Sequence, residues 1–183
     1  MNIYAQAALR EAIRDKRSAL AGRRSRRNLV ISLIAPATAV LLLFGVFFGL
    51  AVVQGNSMMP SVKHGDKLLF ARLGGVRIGD IVLLHSQHDE YIKRVAAMPG
   101  DVVDIEDNRV IINGLPQVQH CAVGGTERQP TDITYPITLG PDEYFVLGDN
   151  RENSLDSRSY GPVKAAQIRG RVIWVLKTGS LGP

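Results

Sequence analysis

The chain has 183 residues, a net charge of +5 and one cysteine. Once a long apolar run near its start is set aside, the rest suffices for one compact domain but not for two. The charge is uneven, with residues 1–28 carrying +6 and the other 155 carrying −1, so the folded part is not a basic domain. The lone Cys121 excludes an intrachain disulfide and is assigned to packing.

Residues 1–28 form a basic arm. Within it, residues 4–20 have a weak helical periodicity that suits either a short helix on lipid headgroups or a chain without fixed structure. Its block Arg23-Arg24-Ser25-Arg26-Arg27 directly abuts the apolar run. A nucleic-acid-binding arm and the cytoplasmic flank of a membrane segment are both basic, but only the second explains why the cluster adjoins an apolar stretch. The expected topology has the N-terminus in the cytoplasm and the remainder outside it, with no nucleic-acid partner.

Leu29 to Val53 are 25 uncharged, mostly apolar residues. As a helix at about 1.5 Å per residue they suffice to cross a hydrocarbon core of about 30 Å, even with Pro36, Gly45 and Gly49 inside. The run exceeds the apolar region of a cleavable signal peptide. Ala51-Val52-Val53 also makes a poor cleavage site, so a retained transmembrane anchor over 29–53 is predicted.

Beyond Val53 the pattern changes to short β-branched runs separated by Gly, Asn, Asp and Pro. Strands are predicted at 67–72, 80–85, 90–97, 101–106, 109–113, 143–147 and 169–176, with Asp107-Asn108 as a tight hairpin turn. No long amphipathic helical period follows residue 54. The prediction is a mostly β domain over 54–183 built of small antiparallel sheets, with 114–141 an irregular excursion from its core.

Three segments carry candidate chemistry. Ser57 lies in Gly55-Asn56-Ser57-Met58-Met59-Pro60, four positions past the apolar run. It lacks the second glycine of an α/β-hydrolase elbow, and no helix follows it. A serine nucleophile needs a base, and none of His64, His85, His88 and His120 stands in a distinctive setting. Lys93 does. In the predicted strand Glu90–Ala97 it shares a face with Tyr91 and Val95, and Arg94 points the other way. Burial among apolar neighbours lowers an amine's pKa and suits it to act as a general base. The third segment, Gly148 to Gly161, is dense in polar side chains. It reads as a long turn or as a scaffold in which Asp156 pairs Arg158 or Arg94 and Ser154 bonds a lysine.

Together with Tyr91-Ile92-Lys93-Arg94-Val95 and Met98-Pro99-Gly100-Asp101, these segments resemble, in order and spacing, the successive motifs of bacterial type I signal peptidases. The resemblance spans roughly residues 29–176. It implies a signal-peptidase-like fold and a serine endopeptidase with Ser57 as nucleophile and Lys93 as general base. Ser154 would orient the lysine, and Asp156, Arg158 and Arg94 would form a supporting ion-pair network. The Ser57 N–H would belong to the oxyanion hole. Some relatives place a serine hydroxyl in that hole at the position held here by Gly55. The resemblance implies no cofactor and no metal, and an accessory β-domain reduced in size. The partners it implies are exported precursors carrying signal peptides, and membrane lipid, at the cytoplasmic (inner) membrane. It fixes no oligomeric state. Three other readings remain: a dedicated pilin-processing peptidase of the same family, a self-cleaving repressor, which the apolar run disfavours, and a non-catalytic anchored β-domain.

Overall fold

The computed structural model describes residues 14, 16, 28, 30–86 and 89–178. The arm predicted over 1–28, apart from residues 14, 16 and 28, lies outside them, as does His88. The chain forms two units, divided between Val46 and Phe47.

The first unit is represented by the apolar helix α1, Val30–Phe47, whose mean hydropathy is 2.5. These 18 described residues span about 27 Å, close to the hydrocarbon thickness of a bilayer. The helix ends at Phe47, before Val53, where the predicted anchor ends. The last residues of the apolar run form strand β1, Phe48–Val52, which pairs antiparallel with β2, Lys67–Ala71, from Phe48↔Ala71 to Val52↔Lys67. An apolar run with no polar break carries no mark of where helix gives way to strand. Here the unpaired edge of β2 decides it by supplying backbone partners to β1.

The second unit is mostly β. The remaining strands are β3 Ile81–Ser86, β4 Asp89–Ala97, β5 Val102–Glu106, β6 Arg109–Ile112, β7 Leu115–Pro116, β8 Ile137–Thr138, β9 Glu143–Leu147, β10 Val163–Lys164 and β11 Ile168–Leu176. Seven strands make one sheet in the order β1-β2-β11-β3-β4-β9-β10, and four make a second in the order β7-β6-β5-β8. Every pairing is antiparallel. All seven predicted strands are present, with ends shifted by no more than one residue. Asp107 and Asn108 both take positive φ, 47° and 59°, as a two-residue hairpin turn requires. The only α-helix described after residue 47 is the single turn α2, Ser157–Tyr160.

Alternation along β3 and β4 divides the core. Leu83 and Ile92 pack with Val53, Met58, Val62, Leu68 and Phe70. Their neighbours Val82, Leu84 and Val95 pack with Val146 and Val163. The predicted excursion over 114–141 is not detached from this body. It supplies β7 and β8 to the second sheet and returns at Val123, which bridges to Asn150.

Candidate active site

Ser57 is fixed from beneath by its neighbours. Met58 and Val62 are both fully buried in the cluster that contains Ile92 of β4, and the Val62 N–H donates to the Met58 carbonyl at 2.9 Å. Gly55 opens the turn at φ +84°, a conformation costly for residues with a Cβ. Its N–H donates to His64 Nδ1 at 3.2 Å. The Ser57 carbonyl accepts the Asn150 N–H at 3.0 Å. The Ser57 N–H donates to no group among the described residues.

Lys93 occupies the middle of β4 opposite Val82, which is fully buried. The lysine is itself only 3% exposed, and its Nζ donates to Ser57 Oγ at 2.8 Å. Loss of water pushes its pKa down from 10.5 to about 8, with Asp156 opposing and Arg158 reinforcing the change. At that value about one amine in ten is neutral at pH 7 and about half at pH 8, far more than for an ordinary lysine. Once neutral, the same contact can reverse, with the Ser57 O–H donating to Nζ. His64 and His85 are exposed, and no histidine side chain bonds Ser57 among the described residues.

β9 pairs with β4 so that Leu147 faces Arg94, which delivers the chain after β9 to the site. Asp149 there takes a bidentate pair from Arg94, with Nε to Oδ1 at 2.8 Å and Nη2 to Oδ2 at 2.6 Å. The remaining Arg94 donors reach the Gly79 carbonyl and the Ser61 hydroxyl, so one planar guanidinium ties β4, the segment before β3 and the serine turn together. Asp156 accepts from Arg158 Nε and Nη2 at 2.9 Å each and from the Gly148 N–H at 3.0 Å. Of the two partners open to Asp156 in the sequence, the structure selects Arg158. Arg94 pairs with Asp149 instead, because it leaves β4 on the face opposite Lys93. A third guanidinium, that of Arg151, buried like that of Arg158, bonds the Gly148 carbonyl, Thr126 and Gln119.

Ser154 is buried beside the serine turn, and its hydroxyl has no hydrogen-bond partner. It thus makes no bond to Lys93, although the sequence placed it as the lysine's orienting group. Gly148 is what lets Ser154 and Ser57 approach each other. A Cβ at Gly148 would lie 2.1 Å from Ser154 Oγ and 2.6 Å from the Ser57 carbonyl oxygen. The second contact is with backbone and cannot be relieved by a rotamer change. Gly148→Ala should therefore lower kcat/KM by at least about tenfold and destabilise the domain by about 1–3 kcal/mol. Gly75→Ala, which adds a Cβ in open space, should do neither. Melting curves and peptide turnover of the two variants check this.

Of the sequence candidates, the structure joins Ser57 to Lys93 directly and gathers Gly55, Ser154, Asp156, Arg158 and Arg94 around them. Sequence reasoning missed Asp149 as the Arg94 partner and the Arg151–Thr126 contact. Asp149 was the readable one, since it lies two residues beyond Leu147, the strand end that pairs with Arg94. Thr126 carried no signal, because its partner lies across an irregular stretch. No cluster of metal-ligating side chains occurs among the described residues.

A hydroxyl in contact with a buried amine that readily loses its proton is what a serine hydrolase with a lysine base requires. The family description "Signal peptidase, peptidase S26" matches residues 26–177, and the chain belongs to that family of serine peptidases. It is 30% identical over 152 residues to a signal peptidase I P of Bacillus subtilis subsp. natto, covering 75% of this chain and 82% of the relative. It is 33% identical to a signal peptidase I of Leptolyngbya laminosa, covering 72% and 71%. With a signal peptidase IB of Staphylococcus aureus it shares 31% over 159 residues, covering 76% and 83%. A crystal structure of a signal peptidase I from Enterococcus faecalis V583 aligns with a TM-score of 0.48 at 29% identity, over 55% of this chain and 99% of that one.

Proposed function

We propose that this enzyme cleaves signal peptides from exported precursors, with Ser57 as nucleophile and Lys93 as general base. The observation that carries this reading is the 2.8 Å contact between Ser57 Oγ and a lysine Nζ buried to 3% exposure. Neutral Lys93 takes the hydroxyl proton while Oγ attacks the scissile carbonyl, and the ammonium then protonates the departing nitrogen. Water, deprotonated in turn by Lys93, releases the acyl group. The Ser57 N–H, unengaged in the free enzyme, serves as an oxyanion donor. Gly55 offers no side chain to that hole, and its own N–H is held by His64. The Ser154 hydroxyl, free and beside Ser57, is available to the ammonium once it forms.

The +6 arm and α1 support an anchor with its N-terminus in the cytoplasm and the peptidase unit on the other side. The substrate's own apolar segment would then hold its cleavage site at the same surface. One vesicle experiment tests both parts. In sealed vesicles with the outer membrane face exposed, added protease should digest the β unit and spare residues 1–28. Before digestion, a precursor presented from outside should acquire a single new N-terminus just after its signal peptide. An unchanged precursor, or an arm digested together with the β unit, would contradict the proposal.

A further inference from the structure

The loop that carries Ser57 is closed at its neck. The Val53 N–H donates to the Asp66 carbonyl at 2.9 Å, and the Gly65 N–H to the Val53 carbonyl at 3.0 Å. Asp66, only 4% exposed, accepts the N–H of Lys63 at 2.9 Å and that of Thr178 at 3.0 Å. The turn over residues 63–66 is therefore fixed, and it holds His64 beside the stretch that leads into Ser57. That stretch has little else to hold it. Gln54, Gly55 and Asn56 are exposed, and a Cβ built at Gly55 would meet nothing within 4 Å. Among the described residues, the contact of the Gly55 N–H with His64 Nδ1 is the only hydrogen bond that Gln54 or Gly55 makes.

The Ser57 N–H belongs to the peptide whose carbonyl is that of Asn56. This carbonyl accepts the Met59 N–H at 3.2 Å and Asn150 Nδ2 at 3.4 Å, at and beyond the long end of the ordinary range. The direction of the Ser57 N–H thus depends on how the chain enters that peptide through Gly55 and Asn56. Glycine constrains the entry least, since φ of either sign is open to it. The imidazole supplies the constraint by holding Gly55 at φ +84°. A ring nitrogen that accepts belongs to a neutral imidazole with its proton on the other nitrogen. We infer that His64 is a positioning residue, which by accepting the Gly55 N–H aims the Ser57 N–H at the oxyanion of the tetrahedral intermediate. The inference rests on the Ser57/Lys93 reading and gives the histidine no part in proton transfer, because Ser57 Oγ is held by Lys93. Gly55 brings no side chain to the oxyanion hole, so more of the stabilisation depends on the aim of this backbone donor.

The test compares the full-length wild type with His64→Asn, His64→Gln and His64→Ala at about pH 9, above the ordinary imidazole range and above the Lys93 value of about 8. Asparagine can set its Oδ1 where Nδ1 stands, whereas the glutamine acceptor lies one carbon further out. Losing an oxyanion donor outright costs about 10²–10³ in kcat, and losing only its aim should cost less. His64→Ala and His64→Gln should lower kcat on a precursor peptide about 10- to 30-fold and leave KM within about twofold. His64→Asn should restore kcat to within about threefold of wild type. A peptide aldehyde and the matching alcohol give a second readout. Ser57 Oγ bonds to the aldehyde carbon, its proton passes to Lys93 and the carbonyl oxygen becomes the oxyanion, whereas the alcohol forms no such bond. Aldehyde affinity should fall with kcat, and alcohol affinity should not change. Equal kcat within about threefold for all four proteins overturns the inference, as does an equal loss in the Asn and Gln variants or a loss confined to KM. The Asn and Gln pair decides the matter if His64→Ala does not fold. Every variant should still level off above about pH 8, and a plateau reached elsewhere overturns the inference by giving His64 a part in proton transfer. Failure of the underlying reading is distinguishable, because cleavage would then survive Ser57→Ala.

Discussion

Lys93→Met should yield a folded protein that cleaves no precursor. Methionine fills nearly the same volume but cannot accept a proton, so the step that activates Ser57 is lost. Removing a positioned base typically costs about 10²–10⁴ in rate, and Ser57→Ala, which removes the nucleophile, should fall at least as far. Lys93→Arg should be equally inactive, because a guanidinium does not give up its proton in a protein. The inactive variants should separate on stability. Lys93 is held at 3% exposure with its pKa pushed down to about 8, so at pH 7 the folded state carries a buried ammonium at a cost. Methionine removes that cost, and Lys93→Met should melt no lower than wild type at pH 7. Arginine, bulkier and permanently charged, should melt lower. Wild-type turnover by either Lys93→Met or Ser57→Ala would sink the dyad.

The second large effect is on pH. Only the neutral amine can take the Ser57 proton, so kcat/KM should rise about tenfold per pH unit below the lysine's pKa and level off above about 8. At pH 6 only about one site in a hundred is ready, and the rate should be about 100-fold below the plateau. Burial is the main cause, and Arg158 is the cation that reinforces it. Arg94, next to the lysine in the chain, is instead bound to Asp149 on the opposite face of β4. Stability carries the same signature with a definite sign. The folded pKa lies below the unfolded 10.5, so between about pH 8 and 10.5 the unfolded chain binds the extra proton. The Lys93 contribution to stability should therefore rise across that window, and the burial penalty should be fully present below it. A histidine base would instead give a rate that rises near 6.5. The profile is to be measured for wild type and for His64→Ala, because His64 touches the serine turn at Gly55. An acid limb near 6.5 that disappears in His64→Ala would assign the base to histidine.

The sequence by itself determined the elements whose signal is local. Strand periods and turn residues marked the seven principal strands, because alternation and a Gly or Asn at a turn are written within a few neighbouring positions. The apolar helix was legible as an uncharged run, and Ser57 and Lys93 through the motifs around them. Alternation alone put Lys93 among apolar neighbours and turned Arg94 away from it. What the sequence could not contain was any choice between partners remote in the chain. The end of the helix at Phe47 depends on the pairing of β1 with β2, which hydropathy does not record. Asp149 rather than Asp156 holds Arg94 because β9 lies beside β4 in a register that sets Leu147 opposite Arg94. The stretch over 114–141 reads as loose in composition, yet it packs against the site through Thr126 and Val123, because Arg151 must find acceptors once it is buried. The contact of Ser57 with Lys93 spans 36 positions. The residue types were given by the sequence, but the 2.8 Å separation and the dry surroundings that lower the lysine's pKa exist only when the serine turn is pinned by Met58 and Val62 against the sheet that carries β4.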